Sequence, residues 1–589
     1  VKRYALLFVL FFAMVAGTRL PYMPGQLFSF DEVNMVYAMD KLDTRLSQPQ
    51  PPGYPLFILE MHAMKLLRVV RPESNLIALG LLGSAASMVA LVWCGDRMFG
   101  GWTGIYAAML LWLYPAFWYA GLTSALRIHL ALISGVVAAA CWRAWHGERR
   151  WEIYSAMALG LGSGIRPEVG PLLFPLWVVA MLRSGLNWKA RCVALVTLVA
   201  SVFVWLTPLA LSSGGFAAFF RHCWAYLAVQ SATTSTLFGL EATRWLTNSI
   251  LLVVWTFAGL ALAPMLAVLA RGADDPIGRK RWIFIGFWLT PSVLFAAFVH
   301  VADAGHVLAM VVPFCLILGH QVSRAVSLSP RWNPPTWNWV LPVILLARYA
   351  PEGPEAFRLQ LLGTGLAASI MARLKGSAES IRLGSGGIRQ SHAACLILLP
   401  MLVFFDHAFL ARGWDYATRP ELSAERLWLD VKYGFHLSSY KHVRNSIDPD
   451  DASIRVVQQV VAAAPVPTQT VILSERSITS WRKVSYYLSK VRLVVLERLP
   501  VSPVQFVATE WLRSVETRRQ QGAAPVKVVV PAGARLVWMI KPGSEFETLV
   551  RQNLPVTSAG PVFYTDLPQE AGSKELGGFS LIWEKPTGQ

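Results

Sequence analysis

Charge is what this chain has least of. Asp, Glu, Lys and Arg make up 15% of its 589 residues, where a soluble domain carries about 25%. The hydrophobic share is 54% and the mean hydropathy +0.45, which excludes an ordinary soluble protein and points to repeated membrane spans. Acid is scarcer than base. Thirty-five Asp and Glu stand against 53 Lys and Arg, a net charge of +18. Those cations fall in short clusters between apolar runs, as the cytoplasmic loops of membrane proteins do, so no nucleic-acid partner is expected. Cysteine is sparse too. The six (Cys94, Cys141, Cys192, Cys223, Cys315, Cys395) form no Cys-x-x-Cys pair and none follows Cys395, which argues against a disulfide framework and a zinc site. A glycine-rich phosphate loop after a strand, an internal repeat and a strong Gly-x-x-x-Gly array are all missing as well.

What is present is apolar runs, bounded by basic loops and by many of the 24 Trp and 29 Phe, the pattern of interfacial belts. The opening VKRYALLFVLFFAMVAG reads as a signal anchor, because no Ala-x-Ala-like cleavage site follows it and Arg19 does. Lys2 and Arg3 place the N-terminus inside, so a first span near 4–20 delivers Asp31 and Glu32 outside. The stretch Tyr54 to Val70 holds Glu60, His62, Lys65 and Arg68. Each is costly at bilayer depth, so it is expected to lie in the interface rather than to span. Spans then fall near 75–94, 102–119, 126–144, 152–165, 169–182, 190–211, 247–270, 282–300, 307–325, 336–349, 357–372 and 392–410. With 54–70 interfacial, WRAWHGERRW, RSGLNWKAR and RGADDPIGRKRW fall inside, and counting 54–70 as a span would turn nearly every basic loop outward. The expectation is a polytopic α-helical protein of about thirteen spans, with residues 1–411 in the membrane domain and interfacial helices near 30–72.

From 412 to 589 the composition changes. Short β-like runs (TVILSE, RLVVLE, VKVVV, RLVWMI, FSLIWE) alternate with helical patterns at Ala452–Ala464 and Ser480–Leu488, as in a small α/β domain with a partly parallel sheet. The topology puts this domain outside the membrane.

Polar residues collect at the same outer interface: Asp31 and Glu32, Arg127 and His129, Arg166 and Glu168, and His300, Asp303 and His306. Ionisable groups at such depth are functional candidates. Each also has a plain structural role open to it. Asp31 fits a helix N-cap, Arg127 and Arg166 fit snorkelling cations, the histidines fit core packing, and Tyr37 fits a packing or belt residue. The functional alternative has its own logic. A carboxylate beside a membrane groove can take the proton of an acceptor hydroxyl, and arginines can stabilise a departing phosphate.

The order of motifs adds a resemblance. An apolar span, then FDEVNMVYAMD, then QPPGYPLF resembles the GT-C superfamily of polyprenyl-phosphate-sugar glycosyltransferases. It is similar in particular to protein O-mannosyltransferase-like bacterial enzymes, whose first loop runs Asp-Glu, Tyr and Ala, then His-Pro-Pro. GLGSGIRPEV and GHVLAMVVPF resemble later motifs of the same subgroup, so the likeness covers roughly residues 1–325. It implies Asp31 as general base with Glu32 in support. Arg166, His306 and Arg127 would contact the donor phosphate, and Tyr37, Gln50 and Tyr54 would position substrate. The expected partners are a polyprenyl-phosphate-linked sugar, the bilayer, and an acceptor protein, lipid or polysaccharide at the outer face of the inner (plasma) membrane. The N-terminus would then be cytoplasmic and the C-terminal domain periplasmic. Gln50 departs from the motif's His, and Arg127 and His129 stand where a second acid is expected. No metal ligands are assigned, and dependence on a divalent ion stays open. Two rival readings are a lipid-linked sugar flippase, against which the missing repeat symmetry speaks, and a non-catalytic envelope assembly protein.

Overall fold

The structure is a computed structural model. It describes residues 2–185, 187–237, 239, 244–253, 256, 278–300, 304–327, 440–476, 478, 481–499, 505–511, 517–520 and 526–585. The spans expected at 336–349, 357–372 and 392–410, most of that at 247–270, and Asp303 lie outside the described residues. The chain divides into two compact units. One comprises Val1–Met23 and Tyr54–Asn445, the other Pro24–Gly53 and Ser446–Gln589.

In the first unit the apolar runs form helices α1 (Lys2–Arg19), α3 (Pro55–Leu66), α4 (Pro72–Met98), α5 (Thr103–Trp112), α6 (Pro115–Thr123), α7 (Ala125–Trp145), α8 (Arg149–Ile165), α9 (Val169–Arg183), α10 (Trp188–Ser212), α11 (Phe216–Thr234), α12 (Arg244–Val253), α13 (Arg279–Phe298) and α14 (Leu308–Ser327). α2 (Phe30–Asp40) belongs to the second unit. Among the described residues five helices are long and apolar enough to cross a membrane: Lys2–Tyr22, Pro72–Met98, Ala125–Trp145, Trp188–Ser212 and Arg279–Phe298. The chain is an integral membrane protein.

Several expectations change. The single span near 102–119 is two helices, α5 and α6, bent 62° apart at a break before Pro115. Proline lacks the amide N–H that would continue the helix. α11 answers to no expected element. Within 54–70 the helix α3 has 12 residues, about 18 Å of helix against a hydrocarbon core of about 30 Å. The Asn75 amide secures it by donating to the carbonyl of Met61 at 2.7 Å.

α4 packs along α5 and α7, and α5 along α14. The contacts are close because glycine lines them. A Cβ on Gly104 would stand 2.5 Å from the Val92 carbonyl oxygen, and one on Gly319 2.6 Å from that of Thr103. Small residues let helix backbones approach where lipid offers no hydrophobic drive to associate. Ser134 of α7 joins two more helices, donating to the Ala309 carbonyl of α14 at 2.8 Å and accepting from the Trp288 indole of α13 at 2.8 Å.

The second unit is built on a seven-stranded sheet of order β4-β3-β2-β1-β6-β8-β7. Its strands are β1 (Val471–Glu475), β2 (Arg492–Leu499), β3 (Gln505–Trp511), β4 (Thr517–Gln520), β6 (Arg535–Met539), β7 (Thr557–Ala559) and β8 (Val562–Asp566). β1 runs parallel to both neighbours, with Val471 opposite Arg492 and Leu536, and the remaining pairs are antiparallel. β5 (Val526–Pro531), β10 (Phe579–Glu584) and β9 (Gly572–Glu575) form a second sheet. The central strands read as unbroken apolar runs because both faces are covered. Leu473, Leu536 and Trp538 pack with Val528, Phe579 and helix α17 (Glu545–Asn553), while Ile472, Val495 and Val537 pack with α15 (Tyr440–Ala462) and α16 (Trp481–Tyr487). The five strand-like runs and both helical patterns read from the tail are all elements of this unit. The acidic loop, assigned on sequence to the membrane domain, is grouped with it instead.

Gly104→Ala is expected to force α5 away from α4 at a cost of about 1–3 kcal/mol. Thermal unfolding of the detergent-solubilised protein should show a lower midpoint, and an unchanged midpoint would mean that these backbones part freely.

Candidate active site

The carboxylate pair opens α2, and the two acids do different things. Ser29, in extended conformation, is the N-cap: its hydroxyl accepts the Glu32 amide N–H at 3.2 Å. The Glu32 carboxylate reaches back to accept the N–H groups of Phe28 at 2.6 Å and Ser29 at 3.4 Å, closing a capping box. The N-cap role read for Asp31 therefore falls to Ser29. Asp31 sits half-buried in the first turn, at the positive end of the helix dipole. Glu32 is 7% exposed. Burial lifts its pKa to about 7, against the opposing pull of the Phe28 amide and of Lys483.

Behind Asp31 the helix is buried from Glu32 to Met39. The Tyr37 hydroxyl stands 3.2 Å from Ser485 Oγ, and its ring meets Tyr486 edge-on with centroids 5.7 Å apart. Gln50, the residue in place of the motif's His, is buried and accepts the Asn34 amide at 3.4 Å. The bend around it closes on itself, with the Asp43 N–H donating to the Gln48 carbonyl at 2.7 Å and the Gly53 N–H to the Gln50 carbonyl at 2.9 Å. In this unit Tyr37 and Gln50 thus make contacts that hold the acidic helix.

In the first unit the expected phosphate-contacting residues come together. Arg166 caps the C-terminus of α8 in extended conformation, its N–H donating to Gly162 O at 2.9 Å. Its guanidinium is buried, ion-paired with Glu168 and 5.8 Å from the centre of the Tyr54 ring. Tyr54 is the residue before Pro55 that opens α3. His306 lies in the 3-10 turn Ala304–Val307 ahead of α14, its ring 5.1 Å from that of His300. Arg127 of the first turn of α7, Arg166 and His300 all act electrostatically on His306. Residues from four helix ends, far apart in sequence, thus share one polar cluster with two guanidinium groups. Guanidinium groups suit the bidentate binding of a phosphate.

His129 has another task. Its Nδ1 donates to the Ala125 carbonyl at 2.8 Å, and its Nε2 stands 3.0 Å from the Glu60 carboxylate of α3. The pair explains how Glu60 is tolerated: α3 docks on α7 through it, with Phe57 edge-on to the imidazole at 5.3 Å. Sequence reading missed this partnership, for which the only signal was a lone acid on an apolar helix. It also missed Arg482 and Lys483, both buried beside the acidic helix. Among the described residues no three His, Cys, Asp or Glu side chains gather as metal ligands do.

Because the folded pKa of Glu32 lies above the ordinary carboxylate value, its contribution to stability is complete at low pH. It is lost as pH rises from about 4.5 towards about 7. Glu32→Gln keeps an acceptor for the cap and removes the titration, so its melting temperature should vary less than the wild type's between pH 5 and pH 7. Glu32→Ala loses the cap as well, at a cost of about 1 kcal/mol at every pH. Identical pH dependence in wild type and Glu32→Gln would refute the assignment.

No protein-family model matches the chain, and no curated protein does either. Among solved structures, the crystal structure of ArnT from Cupriavidus metallidurans in the apo state aligns at 15% identity with a TM-score of 0.51, over 96% of this chain and 98% of that one. The crystal structure of the same protein bound to undecaprenyl phosphate aligns at 12% identity with a TM-score of 0.49, over 84% and 92%. These neighbours are ArnT, a GT-C glycosyltransferase. At such identity the apo-state match shows the fold, and the fold of this chain is that of ArnT, as the GT-C resemblance of its motifs implied.

Proposed function

We propose that this protein is a membrane glycosyltransferase that moves one sugar from a polyprenyl-phosphate donor to an acceptor hydroxyl at the outer face of the inner membrane. The observation that carries the reading is the gathering of Arg127, Arg166, His300 and His306 at one polar cluster. An ArnT-type fold and the motif order around Asp31 support it. In the proposed reaction Asp31 accepts the proton of the acceptor hydroxyl. The acceptor oxygen bonds to the anomeric carbon from the face opposite the leaving group. The bond from that carbon to the phosphate oxygen breaks, and polyprenyl phosphate departs with the electron pair. Arg166 and Arg127 stabilise the negative charge that grows on it, with His306 as a further contact. The Tyr54 ring beneath Arg166 keeps that guanidinium in place. Undecaprenyl phosphate, the ligand in one ArnT crystal structure, sets the first donor carriers to try: its mannose, arabinose and glucose conjugates.

Purified protein in lipid nanodiscs, given these donors with water as the stand-in acceptor, should release the polyprenyl phosphate and the free sugar. Asp31→Asn should lower kcat by about 100-fold or more, and Arg166→Met should raise KM for the donor and lower kcat as well. Full turnover by Asp31→Asn would sink the base assignment. Lipid translocation without sugar transfer would favour the flippase reading.

A further inference from the structure

We propose that the C-terminal domain carries the acidic helix as part of its own packed core, and that Arg482 is a positioning residue for Asp31. The proposal rests on the base role of Asp31 given above. The segment Pro24–Gly53, remote in sequence, belongs to one compact unit with the sheet. The docking element is α16, a helix of seven residues. Its Trp481 and Val484 lie in the sheet core with Val457, Ile472, Leu493 and Val537, and Phe30 of the acidic helix packs against the same group.

From its other positions α16 grips α2 at successive turns. Trp481 meets Phe30 edge-on at 5.5 Å. Arg482 Nε donates to Asn34 Oδ1 at 2.8 Å. Ser485 and Tyr486 hold Tyr37, and the Tyr487 hydroxyl accepts the N–H of Leu27, just ahead of the helix, at 2.8 Å. Phe30, Asn34 and Tyr37 are spaced four and three residues apart, so they form one stripe of α2. A helix held along one stripe cannot turn about its axis, and the direction of Asp31, one residue beyond Phe30, is thereby fixed. Asn34 also donates to Gln50. A single guanidinium therefore ties α16, the acidic helix and the proline-rich bend together.

The setting of Arg482 favours a special task. Arg482 and Lys483 are 2% and 3% exposed. The guanidinium lies 4.7 Å from the Tyr37 ring centre and 5.9 Å from those of Phe30 and Trp481, and the Lys483 ammonium 5.4 Å from that of Phe28. Burying two cations is costly and is a poor way to add stability. Aromatic faces offset part of that cost, and the planar fork fixes Asn34 more closely than a smaller cation can.

The test uses the full-length protein in nanodiscs. Arg482→Met should lower kcat about tenfold or more, with KM for the donor changed less than twofold, because a base displaced by about 1 Å loses rate and not donor affinity. Arg482→Lys, which can still donate to Asn34, should recover part of that loss. Equal losses in both variants, or a loss confined to KM, would overturn the positioning role. Docking is read separately. A Tyr37→Cys, Ser485→Cys protein treated with a short bis-maleimide should give a cross-linked peptide joining residues 37 and 485, found by mass spectrometry. Its absence would overturn the shared core whatever the activity. A wild type that turns over no sugar donor would remove the base role of Asp31, and the positioning role with it, while the cross-link alone would still decide the docking.

Discussion

A polar or charged group withdrawn from water must find its partner inside the protein. The arrangement of this chain follows from that constraint. Arg19, fully buried at the end of α1, hydrogen-bonds to Ser84 and to the Phe117 carbonyl and lies over the Phe117 ring. A Cβ at the neighbouring Gly121 would meet the guanidinium, which would have to shift to admit it. Glu60 meets His129, Arg166 meets Glu168, and Ser134 joins three helices. The Arg166–Glu168 pair is local to one turn, whereas the contacts of Arg19, Glu60 and Ser134 bridge helices that apolar packing alone would leave able to slide. A few polar pairs therefore set the register of the helices, and glycine sets their distance.

The same constraint acts on the second unit. There Glu32, Arg482 and Lys483 are buried together. Burial raises the carboxyl and lowers the two cations, Lys483 to about 8 and Arg482 to about 10. The unit tolerates this because backbone amides, Asn34 and aromatic rings surround the charges. A helix embedded so deeply has little freedom to tilt, which is the property that the proposed base role of Asp31 would need.

Much of this was legible in the sequence. The helices at 72–98, 125–145, 188–212 and 279–298 are long apolar runs, and β1, β2, β5, β6 and β10 are short ones rich in Val, Leu and Ile, so hydropathy alone found them, whereas β3, β4, β7, β8 and β9, such as Thr-Arg-Arg-Gln in β4, carry no such run. Glu60, His62 and Lys65 already set α3 apart from the long apolar helices. The clustering of Arg127, Arg166 and His306 followed from loop charges and motif order. Other features depended on contacts that pattern does not encode. The break between α5 and α6 was written as a proline inside an apolar run, a signal that membrane helices often absorb. α11 follows the turn signal Ser-Ser-Gly-Gly but carries Arg221, His222 and Gln230 in place of a clean apolar run. The attachment of the acidic loop to α16 joins residues more than four hundred apart, and a Trp-Arg-Lys triplet at the start of a short helix reads as a solvated face.

The adjacent pair Asp31 and Glu32 shows most clearly what three dimensions add. On sequence Asp31 fits both the helix N-cap and, by resemblance, the base, with Glu32 in support. Position relative to the cap separates them. Glu32 is third in the helix, the place from which a side chain reaches the amides of Phe28 and Ser29, and those amides together with burial keep it from meeting a bulky acceptor. Asp31, one residue earlier and half-buried, lies outside that box, in the turn where the helix dipole favours an anion. Two equal acids placed in unequal environments acquire different duties. The capping acid makes the helix start rigid, and under the proposed mechanism a rigid start lets its neighbour take a proton from one direction only.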